Sequence, residues 1–500
     1  MIEFLELGSP KEFWEYFYKI SQIPRCSARE TRIREYIKKE ALRFGFEAIQ
    51  DRGKNLLVRI PANNTGNSQK TVIIQSHLDM VCEKKEDVVH DFSQDPLKLK
   101  VIEIEGDSWI TAEGTTLGAD NGIGTAYQLA LMKKIYKNEL KFGPLALELL
   151  FTVNEEYGMT GAKQIDRDLF KGRYLINTDC GDDRILIIGS AGSIEYKAEV
   201  KFKREVLSPV KDEYISIDLS IKGLLGGHSG ADITKGRANA IKLIVELLWN
   251  LNRKHEIYLK RLHGGQYFNA IPREASARFI IKKEEASLAR EFLKQIISKA
   301  LAKFESVETN FILDIQESDE ISELEYIPPE VQDKILDVLL LLPNGPISFF
   351  SRDMNIPLIS SNIGMIRTKK GRIRFESFQR GLSNYENEIV FEGIKDLLAY
   401  AGFKTQVYDK GSSWLPDYDS NLLEISKKVY KHLFNEEPKI KVLNIVLECG
   451  HFKENLPDLD IISFGATHVE LHSPDERLKV KSVNKTWRLL LAILNEIAKT

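Results

Sequence analysis

In the N-terminal and C-terminal parts of the chain, apolar and polar positions alternate with two different periods, one typical of helices and one typical of strands. Near the N-terminus the helical period predicts amphipathic helices over 10–23 and 27–45. Runs rich in Val, Ile and Leu then predict strands over 55–60 and 71–75, separated by a polar turn. A similar succession of helices and strands occupies the chain from residue 387 onward. This succession favours an α/β domain in which helices flank a mixed sheet.

The middle of the chain has a different pattern. Strands predicted over 213–222 and 275–283 are interleaved with helices predicted over 237–251 and 284–303. This alternation of strands and helices indicates a separate α+β domain inserted into the first one. The first part of the α/β domain is predicted at 1–193 and its second part at 386–500. The inserted domain is predicted at 194–385.

Length, charge and cysteine usage narrow the class of protein. With 500 residues the chain is too long for a single hydrophobic core. A net charge of −3 gives no reason to expect nucleic acid or an anionic membrane surface as a partner. The N-terminus has acids where a signal peptide needs bases, and no segment has the apolar length of a membrane span. The 4 cysteines lie far apart without a C-x-x-C pair. We therefore expect no disulfide framework and no zinc ribbon, but a protein of the reducing cytoplasm.

Residue types that can bind a metal follow three of the predicted strands. His77 and Asp79 come after the first of these strands, Glu155 and Glu156 after the second, and Asp179 after the third. The carboxyl ends of strands are where open α/β sheets bind their ligands. A His-x-Asp pair alone also fits a plain cap of a strand end. Two adjacent carboxylates after a buried strand repel each other and are costly to desolvate, which makes a purely structural role less favoured for them.

Three further candidate sites lie in glycine-rich or late segments. Asp120 and Asn121 stand among glycines before the helix predicted over 125–134, where an N-cap turn is an equally common explanation. His228 stands in a glycine-rich loop of the inserted domain, and its alternative is an exposed loop histidine. His472 lies near the C-terminus, in a segment with strand-like alternation.

The types of side chain favour metal-assisted chemistry. Imidazole and carboxylate donors without thiolate suit zinc, manganese or cobalt, and a set of this size can hold two ions. An Asp between two ions, with a neighbouring Glu as base, is suited to activating water against a substrate carbonyl. A glycosidase is less favoured, because the adjacent residues Glu155 and Glu156 do not readily flank a sugar bond from both sides.

Five motifs in a fixed order give a specific resemblance. They are Ser76-His-Leu-Asp79, Leu117-Gly-Ala-Asp-Asn-Gly-Ile-Gly124, Asn154-Glu-Glu-Tyr-Gly-Met-Thr-Gly-Ala162, Gly226-Gly-His-Ser-Gly230 and His472-Ser-Pro-Asp-Glu-Arg477. With them the chain resembles the M20 family of metallopeptidases, from near residue 10 to the C-terminus. Within that family it is most similar to the cytosolic aminoacyl-histidine dipeptidases, also called Xaa-His dipeptidases or peptidase D.

The resemblance implies a role for each candidate residue of the α/β domain. The implied metal ligands are His77 and Asp179 for one ion, Glu156 and His472 for the other, and Asp120 as the bridge between them. Glu155 is implied to be the general base. Asp79 is implied to orient His77, because a carboxylate behind a ligating imidazole fixes its tautomer. A cis peptide bond is implied between Asp120 and Asn121.

The resemblance also implies the fold, the substrate and the assembly. The fold is a zinc-peptidase-like α/β catalytic domain with an inserted α+β lid domain, which can also serve as a homodimer interface. The implied activity is two-metal hydrolysis of dipeptides of the Xaa-His type, carnosine included, with zinc as the metal and manganese or cobalt as alternatives. His228 is implied to stabilise the oxyanion. Asn269 and Arg352 are candidates for binding the substrate carboxylate, although an exposed arginine is usually only a surface charge.

Two other functions stay open at this point. The same chemistry could act on N-acyl amino acids or tripeptides, since fold analogy carries the substrate assignment. A non-catalytic homologue that binds small peptides is the alternative from another class. It is disfavoured because all five implied ligands and both catalytic acids are present in the sequence.

Overall fold

The computed structural model describes residues 6–63, 70–207, 213–318, 325–351 and 354–499. Two compact units make up the chain. The first contains Met1–Ser190, Trp414–Val442 and Leu447–Thr500, and the second contains Ala191–Ser413 and Leu443–Val446. The second unit is thus an insertion in the sequence of the first. It extends to residue 413, whereas the sequence pattern predicted its end at 385.

The helices and strands have the following bounds. The helices are α1 (Lys11–Ser21), α2 (Thr31–Arg43), α3 (Ala119–Tyr136), α4 (Thr160–Lys163), α5 (Ala240–Asn252), α6 (Lys283–Leu301), α7 (Pro329–Leu341), α8 (Asn384–Tyr400), α9 (Asn421–Phe434), α10 (Glu448–Asn455) and α11 (Val480–Lys499). The strands are β1 (Glu47–Gln50), β2 (Leu56–Ile60), β3 (Lys70–His77), β4 (Leu99–Ile104), β5 (Asp107–Ala112), β6 (Leu145–Thr152), β7 (Tyr174–Asn177), β8 (Ile185–Ser190), β9 (Gly192–Lys201), β10 (Glu205–Val206), β11 (Tyr214–Lys222), β12 (Gly227–His228), β13 (Ile257–Gly264), β14 (Ala270–Ile271), β15 (Ala275–Lys282), β16 (Ile312–Ser318), β17 (Glu325–Tyr326), β18 (Gly345–Ser351), β19 (Ile356–Lys369), β20 (Arg372–Gly381), β21 (Lys404–Gly411), β22 (Lys439–Leu443), β23 (Asp460–Ser463), β24 (His468–Val469) and β25 (Arg477–Lys479). In the described ranges, no helix has the length and apolar character needed to cross a membrane.

The first unit is built on an eight-stranded sheet with the order β1-β2-β6-β3-β7-β23-β8-β22. Strands β6, β3, β7 and β23 pair in parallel. Val72, Ile73 and Ile74 of β3 are all buried, as expected for a strand inside a parallel sheet. Parallel strands end at the same edge, so the residues that follow β3, β6 and β7 lie close together.

Helix α3 is fixed in the core of the first unit by aromatic contacts. The ring of Tyr127 in α3 lies 4.7 Å from Phe13 of α1 and 5.9 Å from Trp487 of α11, measured between ring centroids. All three side chains are buried. Because α3 carries Asp120 in its first turn, this packing helps to fix the position of that carboxylate.

The second unit is built on a nine-stranded antiparallel sheet. The order is β16-β11-β15-β13-β19-β20-β9-β21, with β18 paired to β19. Helix α8 belongs to this unit because it packs on its sheet, where the buried ring of Phe391 lies 5.1 Å from the ring of Tyr196 in β9. The sequence pattern placed α8 and β21 in the first unit, because a helix followed by a strand continues the alternation seen there. Periodicity shows that an apolar face exists but not which sheet covers it.

The two residues of the first unit that flank the long insertion, Ser190 and Trp414, are neighbours in space. The backbones of Ser190 and Trp414 exchange two hydrogen bonds, each of 2.9 Å. The chain therefore leaves the first unit and returns to it at neighbouring positions.

The cysteines differ from the expectation drawn from their spacing. Cys26 and Cys82 form a disulfide across a sequence separation of 56, with their Cα atoms 5.7 Å apart. The two segments meet beside this disulfide, where the amide of Met80 donates a 3.1 Å hydrogen bond to the carbonyl of Arg25. Spacing along the chain carries no information about such a backbone contact. The other two cysteines, Cys180 and Cys449, are free and buried.

Candidate metal centre

Three parallel strands deliver most of the candidate ligands to one edge of the first sheet. His77 is the last residue of β3 and pairs in register with Thr152, the last residue of β6. The chain turns sharply after β6, where Asn154 has a φ of 56°. Glu155 and Glu156 follow that turn, and Asp179 stands just beyond the end of β7.

Asp120 lies between the two candidate histidine ligands. Its Oδ1 is 2.8 Å from Nε2 of His77, and its Oδ2 is 3.5 Å from Nε2 of His472. The expected cis peptide bond between Asp120 and Asn121 is present. His77 also has Asp179 nearby, with 3.9 Å between Nε2 and Oδ1. The arrangement places one carboxylate oxygen of Asp120 toward each histidine.

His472 joins the cluster from a turn and not from a strand. The strand-like pattern extended over 468–472, but β24 ends at Val469. His472 has a φ of 60°, in the left-handed region that turns adopt. Its Nε2 lies 3.0 Å from Oε2 of Glu156. The implied pairing of Glu156 with His472 is thus present in the geometry.

Asp79 is buried behind these ligands and holds two backbone segments. Its Oδ1 accepts a 3.0 Å hydrogen bond from the amide of Glu155, and its Oδ2 accepts one of 3.1 Å from the amide of Glu156. Ser27 Oγ donates to Oδ2 at 2.9 Å. Nδ1 of His77 lies 3.1 Å from the carbonyl oxygen of Asp79 and 3.5 Å from its Oδ1. Asp79 therefore orients the Glu155–Glu156 turn as well as the His77 ring.

Three of the clustered acids have raised pKa values. Burial is the largest cause for Glu155, Glu156 and Asp179, because it penalises the charged form of a carboxyl group. Negative neighbours raise the pKa further, since Asp120 acts on Glu156 and Asp179, and Glu156 acts on Glu155. The cluster therefore favours added positive charge, whether from protons or from metal ions.

The pKa values of the two histidines are also raised, whereas the pKa of Asp120 is lowered. Burial opposes the charged form of His77, but its hydrogen bonds with Asp120 and Asp79 raise its pKa well above the ordinary value. Contacts with Asp120 and Glu156 raise the pKa of His472 to about 10. Burial pushes the pKa of Asp120 upward, yet both histidines hold it well below its usual range. The negative charge of the Asp120 carboxylate is thus stabilised by both His77 and His472.

The donor set fits divalent metal ions. His77, Asp120 and Glu156 each offer one donor atom, and these atoms all lie within 4.8 Å of one another. Oε1 of Glu156 is buried and has no hydrogen-bond partner among the described residues. Imidazole nitrogen and carboxylate oxygen are donors that zinc, manganese and cobalt all accept.

His228 of the second unit is held in one tautomer. Its Nδ1 accepts hydrogen bonds from the amides of Gly230 at 3.2 Å and Ala231 at 3.1 Å. A nitrogen that accepts two N–H groups carries no proton, so the ring proton is on Nε2. The residue as a whole is exposed. Partial burial of the ring lowers the pKa of His228, and the positive charge of Arg380 lowers it further. Asn269 lies beside this loop, where its carbonyl accepts a 2.9 Å bond from Ser229.

Arg380 is a candidate binding residue that the sequence did not reveal. It stands near the end of β20 with 4% of its surface exposed, and burial lowers its pKa to about 9. Its guanidinium lies 4.2 Å from the ring centroid of Phe378, and in the described part of the chain no acidic side chain pairs with it. No motif marks this arginine in the sequence. Arg352, the arginine chosen from the sequence, lies outside the described residues.

Comparison with known proteins identifies the family of the chain. The model of Peptidase family M20/M25/M40 matches residues 73–496. The Cytosol non-specific dipeptidase of Escherichia coli (strain K12) is 34% identical over 492 residues, which cover 98% of this chain and 98% of the relative.

Solved structures give the same result. Aminoacylhistidine Dipeptidase from Vibrio alginolyticus superposes with a TM-score of 0.89 at 33% identity, over 99% of both chains. A tripeptidase from Staphylococcus aureus has a TM-score of 0.56 at 14% identity, over 98% of this chain and 99% of that one, which shows a shared fold alone. The predicted α/β fold with an inserted α+β domain is confirmed. The resemblance read from the five motifs is confirmed as well, and the chain belongs to peptidase family M20/M25/M40.

Proposed function

We propose that this protein is a two-metal dipeptidase. The observation that carries the proposal is the convergence of His77, His472, Glu156 and Asp179 on Asp120, within a single unit. M20 metallopeptidases are dinuclear, and the donor set offers ligands on both sides of the Asp120 carboxylate. In this proposal His77 and Asp179 hold one ion, Glu156 and His472 hold the other, and Asp120 bridges them.

Glu155 is the proposed general base. Divalent ions in this site would polarise the scissile carbonyl and lower the pKa of a water molecule. Oε2 of Glu155 lies 4.0 Å from Nε2 of His77, beside the proposed ligands. We assign to it the transfer of a proton from the attacking water to the leaving amine nitrogen. Burial raises its pKa, which helps the carboxyl group to hold that proton between the two transfers.

His228 is the proposed donor to the carbonyl oxygen of the substrate. With the proton on Nε2 and Nδ1 held by two amides, the neutral ring presents a fixed N–H group. The lowered pKa keeps the ring neutral at neutral pH. A donor that is already oriented stabilises the developing oxyanion without reorganisation.

Arg380 is the proposed partner of the substrate carboxylate. A buried guanidinium without an acidic partner leaves a positive charge that a dipeptide carboxylate would balance, in a two-point hydrogen-bonded pair. The earlier candidates Asn269 and Arg352 stay predictions.

Dipeptides are the proposed substrates, with Xaa-His dipeptides such as carnosine among them. The proposal is supported by the relatives named above, a non-specific dipeptidase and an aminoacylhistidine dipeptidase. Zinc as the metal, the cytoplasmic location and the homodimer stay predictions. For the location, the disulfide between Cys26 and Cys82 is a bond that a reducing cytoplasm disfavours.

A substrate panel tests the activity directly. Chelator-treated protein should be inactive, and zinc, manganese or cobalt should restore cleavage of dipeptides measured by release of free amino acids. N-acetyl amino acids and tripeptides should be cleaved more slowly. Metal-loaded protein that cleaves no dipeptide would contradict the proposal.

The substitution Glu155→Gln tests the base. It should lower kcat by about 10² to 10⁴, because the variant cannot accept the proton of the attacking water. Metal content, measured by mass spectrometry of the dialysed protein, should not change. Glu139→Gln, at an exposed position of the same unit, should retain full activity. A loss of metal in Glu155→Gln would indicate a ligand role instead.

The pair His77→Ala and Asp79→Asn separates binding of the metal from orientation of the site. His77→Ala should lower metal content, because it removes a donor nitrogen. Asp79→Asn should keep most of the metal and lose most of the turnover, because an NH2 group replaces one of the two oxygens that accept bonds from the Glu155–Glu156 turn. Equal metal loss in both variants, measured by the same dialysis, would count against the distinct roles.

Arg380→Lys tests recognition of the carboxylate. KM for dipeptides should rise by about tenfold or more, because an ammonium group cannot form the two-point pair. Dipeptide amides, which lack the carboxylate, should be cleaved equally by the variant and the wild type. Arg372→Lys, at an exposed position of the same strand, is the matched control. An identical change in KM for acids and amides would rule out the assignment.

A further inference from the structure

The turn that precedes Asp120 is held by two charged side chains that none of the proposed steps uses. This turn, 117–120, connects the segment after β5 to helix α3. Gly118 has a φ of 66°. A Cβ atom at Gly118 would lie 2.5 Å from Nη2 of Arg25, so the close approach of the guanidinium also requires glycine here.

Glu476 binds the amides of the whole turn. Its Oε2 accepts hydrogen bonds of 2.7 and 2.9 Å from the first two amides, and its Oε1 accepts bonds of 2.8 and 3.3 Å from the next two. The donors are Leu117, Gly118, Ala119 and Asp120. Amides at a helix N-terminus are usual partners of a nearby aspartate. Because Glu476 occupies them, the carboxylate of Asp120 is left to face the two histidines.

Glu476 lies on the same turn as His472. Its own backbone is anchored, since its carbonyl accepts a 2.7 Å hydrogen bond from Thr111 Oγ1 and its amide donates one of 3.1 Å to the carbonyl of Ser473. With 2% of its surface exposed, it has little freedom to move. The position of His472 is therefore linked to the Asp120 turn through a buried carboxylate.

Arg25 makes the corresponding link on the other side. Its Nη1 donates to the carbonyl of Leu78 at 3.0 Å and to that of Asp79 at 2.9 Å, and its Nη2 donates to the carbonyl of Gly118. These carbonyls belong to the end of the His77 strand and to the Asp120 turn. The planar fork of a guanidinium can hold both segments at once, which a lysine cannot do. Arg25 is also buried, with 3% of its surface exposed.

We infer that Arg25 and Glu476 are positioning residues that fix the two halves of the metal centre around Asp120. Arg25 sets the distance between Asp120 and His77, and Glu476 sets the distance between Asp120 and His472. The inference rests on the proposed two-ion site. Each residue acts through a proposed ligand on one side, so its loss should weaken one ion more than the other.

Metal binding by the variants Arg25→Lys and Glu476→Gln tests the inference. The number of bound ions should be measured by equilibrium dialysis of the full chain against zinc or manganese over a range of free metal concentrations. Each variant should weaken one of the two binding steps by about 10- to 100-fold, the size of effect seen when groups behind metal ligands are lost. Two unchanged binding steps in either variant would overturn the role of that residue.

Double variants identify the side on which each residue acts. In a His472→Ala background, Glu476→Gln should have no further effect on metal binding, whereas in a His77→Ala background it should still weaken binding. Arg25→Lys should show the reverse dependence. Effects that add equally in both backgrounds would indicate a general loss of structure and would overturn the inference.

Glu148→Gln is the matched control for loss of a buried carboxylate. Glu148 is 2% exposed and accepts amide bonds from Lys171 and Gly172, in the same unit but away from the proposed ligands. It should lower the Tm and leave both metal-binding steps unchanged. If Glu476→Gln proves unfolded by circular dichroism, Glu476→Asp keeps the charge on a shorter side chain and should give a smaller loss of the same step. Wild-type affinity in that variant would equally overturn the role of Glu476.

The outcome also distinguishes this inference from the proposed function. Wild-type protein that binds no metal, or that cleaves no dipeptide when loaded, would remove the proposed function. Wild-type protein that binds two ions and cleaves dipeptides, with variants that bind metal normally, would remove only the role of Arg25 and Glu476.

Discussion

Buried carboxylates that lie close together repel one another, and the arrangement of the candidate metal centre depends on how this repulsion is offset. The ends of β3, β6 and β7 bring Asp79, Glu155, Glu156 and Asp179 to one edge of the sheet, and α3 adds Asp120. Such a cluster is stable only if positive charge or hydrogen-bond donors lie among the acids. The structure supplies both, through two histidines, a buried arginine and a series of backbone amides. The remaining negative charge favours the binding of cations, as the proposed two-metal site requires.

The acids of the cluster are stabilised in different ways, and this difference separates their roles. Asp79 accepts bonds from two amides and a hydroxyl group, so its negative charge is well solvated by the protein. Among the residues that the structure describes, no amide or hydroxyl group donates to the carboxylate of Glu155, and burial raises its pKa instead. A solvated carboxylate is suited to holding other groups in place, whereas a poorly solvated one is suited to accepting a proton. Neighbouring acids of the same type thus acquire different chemistry from their surroundings.

The parts of the site that the sequence predicts are those encoded by local pattern. An apolar strand followed by His77 and Asp79 can be recognised because burial and strand end are both visible within ten or so residues. The ordered motifs then identify the family, and the resemblance to that family implies the ligand set. The fold class follows in the same way, from the alternation of helices and strands. The end of the second unit was misplaced because α8 and β21 have the same local pattern as elements of the first unit.

The parts that were missed depend on contacts between distant segments. The Cys26–Cys82 disulfide lies where two distant segments meet, next to the hydrogen bond between Met80 and Arg25. Arg380 stands out only because it is buried and no acidic side chain among the described residues pairs with it, which is a property of the folded unit. Glu476 sits inside a recognised motif, but its four amide partners lie more than 350 positions earlier in the chain. None of these contacts leaves a periodic signal, so a single sequence cannot reveal them.

The paired residues Ser190 and Trp414 have a consequence for how such proteins can change over time. All the proposed metal ligands lie outside residues 191–413, before one of these residues or after the other. Insertions and replacements within the second unit can therefore accumulate without lengthening or shifting any segment that carries a ligand. His228 and Arg380, the residues assigned to the substrate, both lie inside that exchangeable stretch. The architecture lets the residues that meet the substrate diverge while the proposed metal ligands keep their positions.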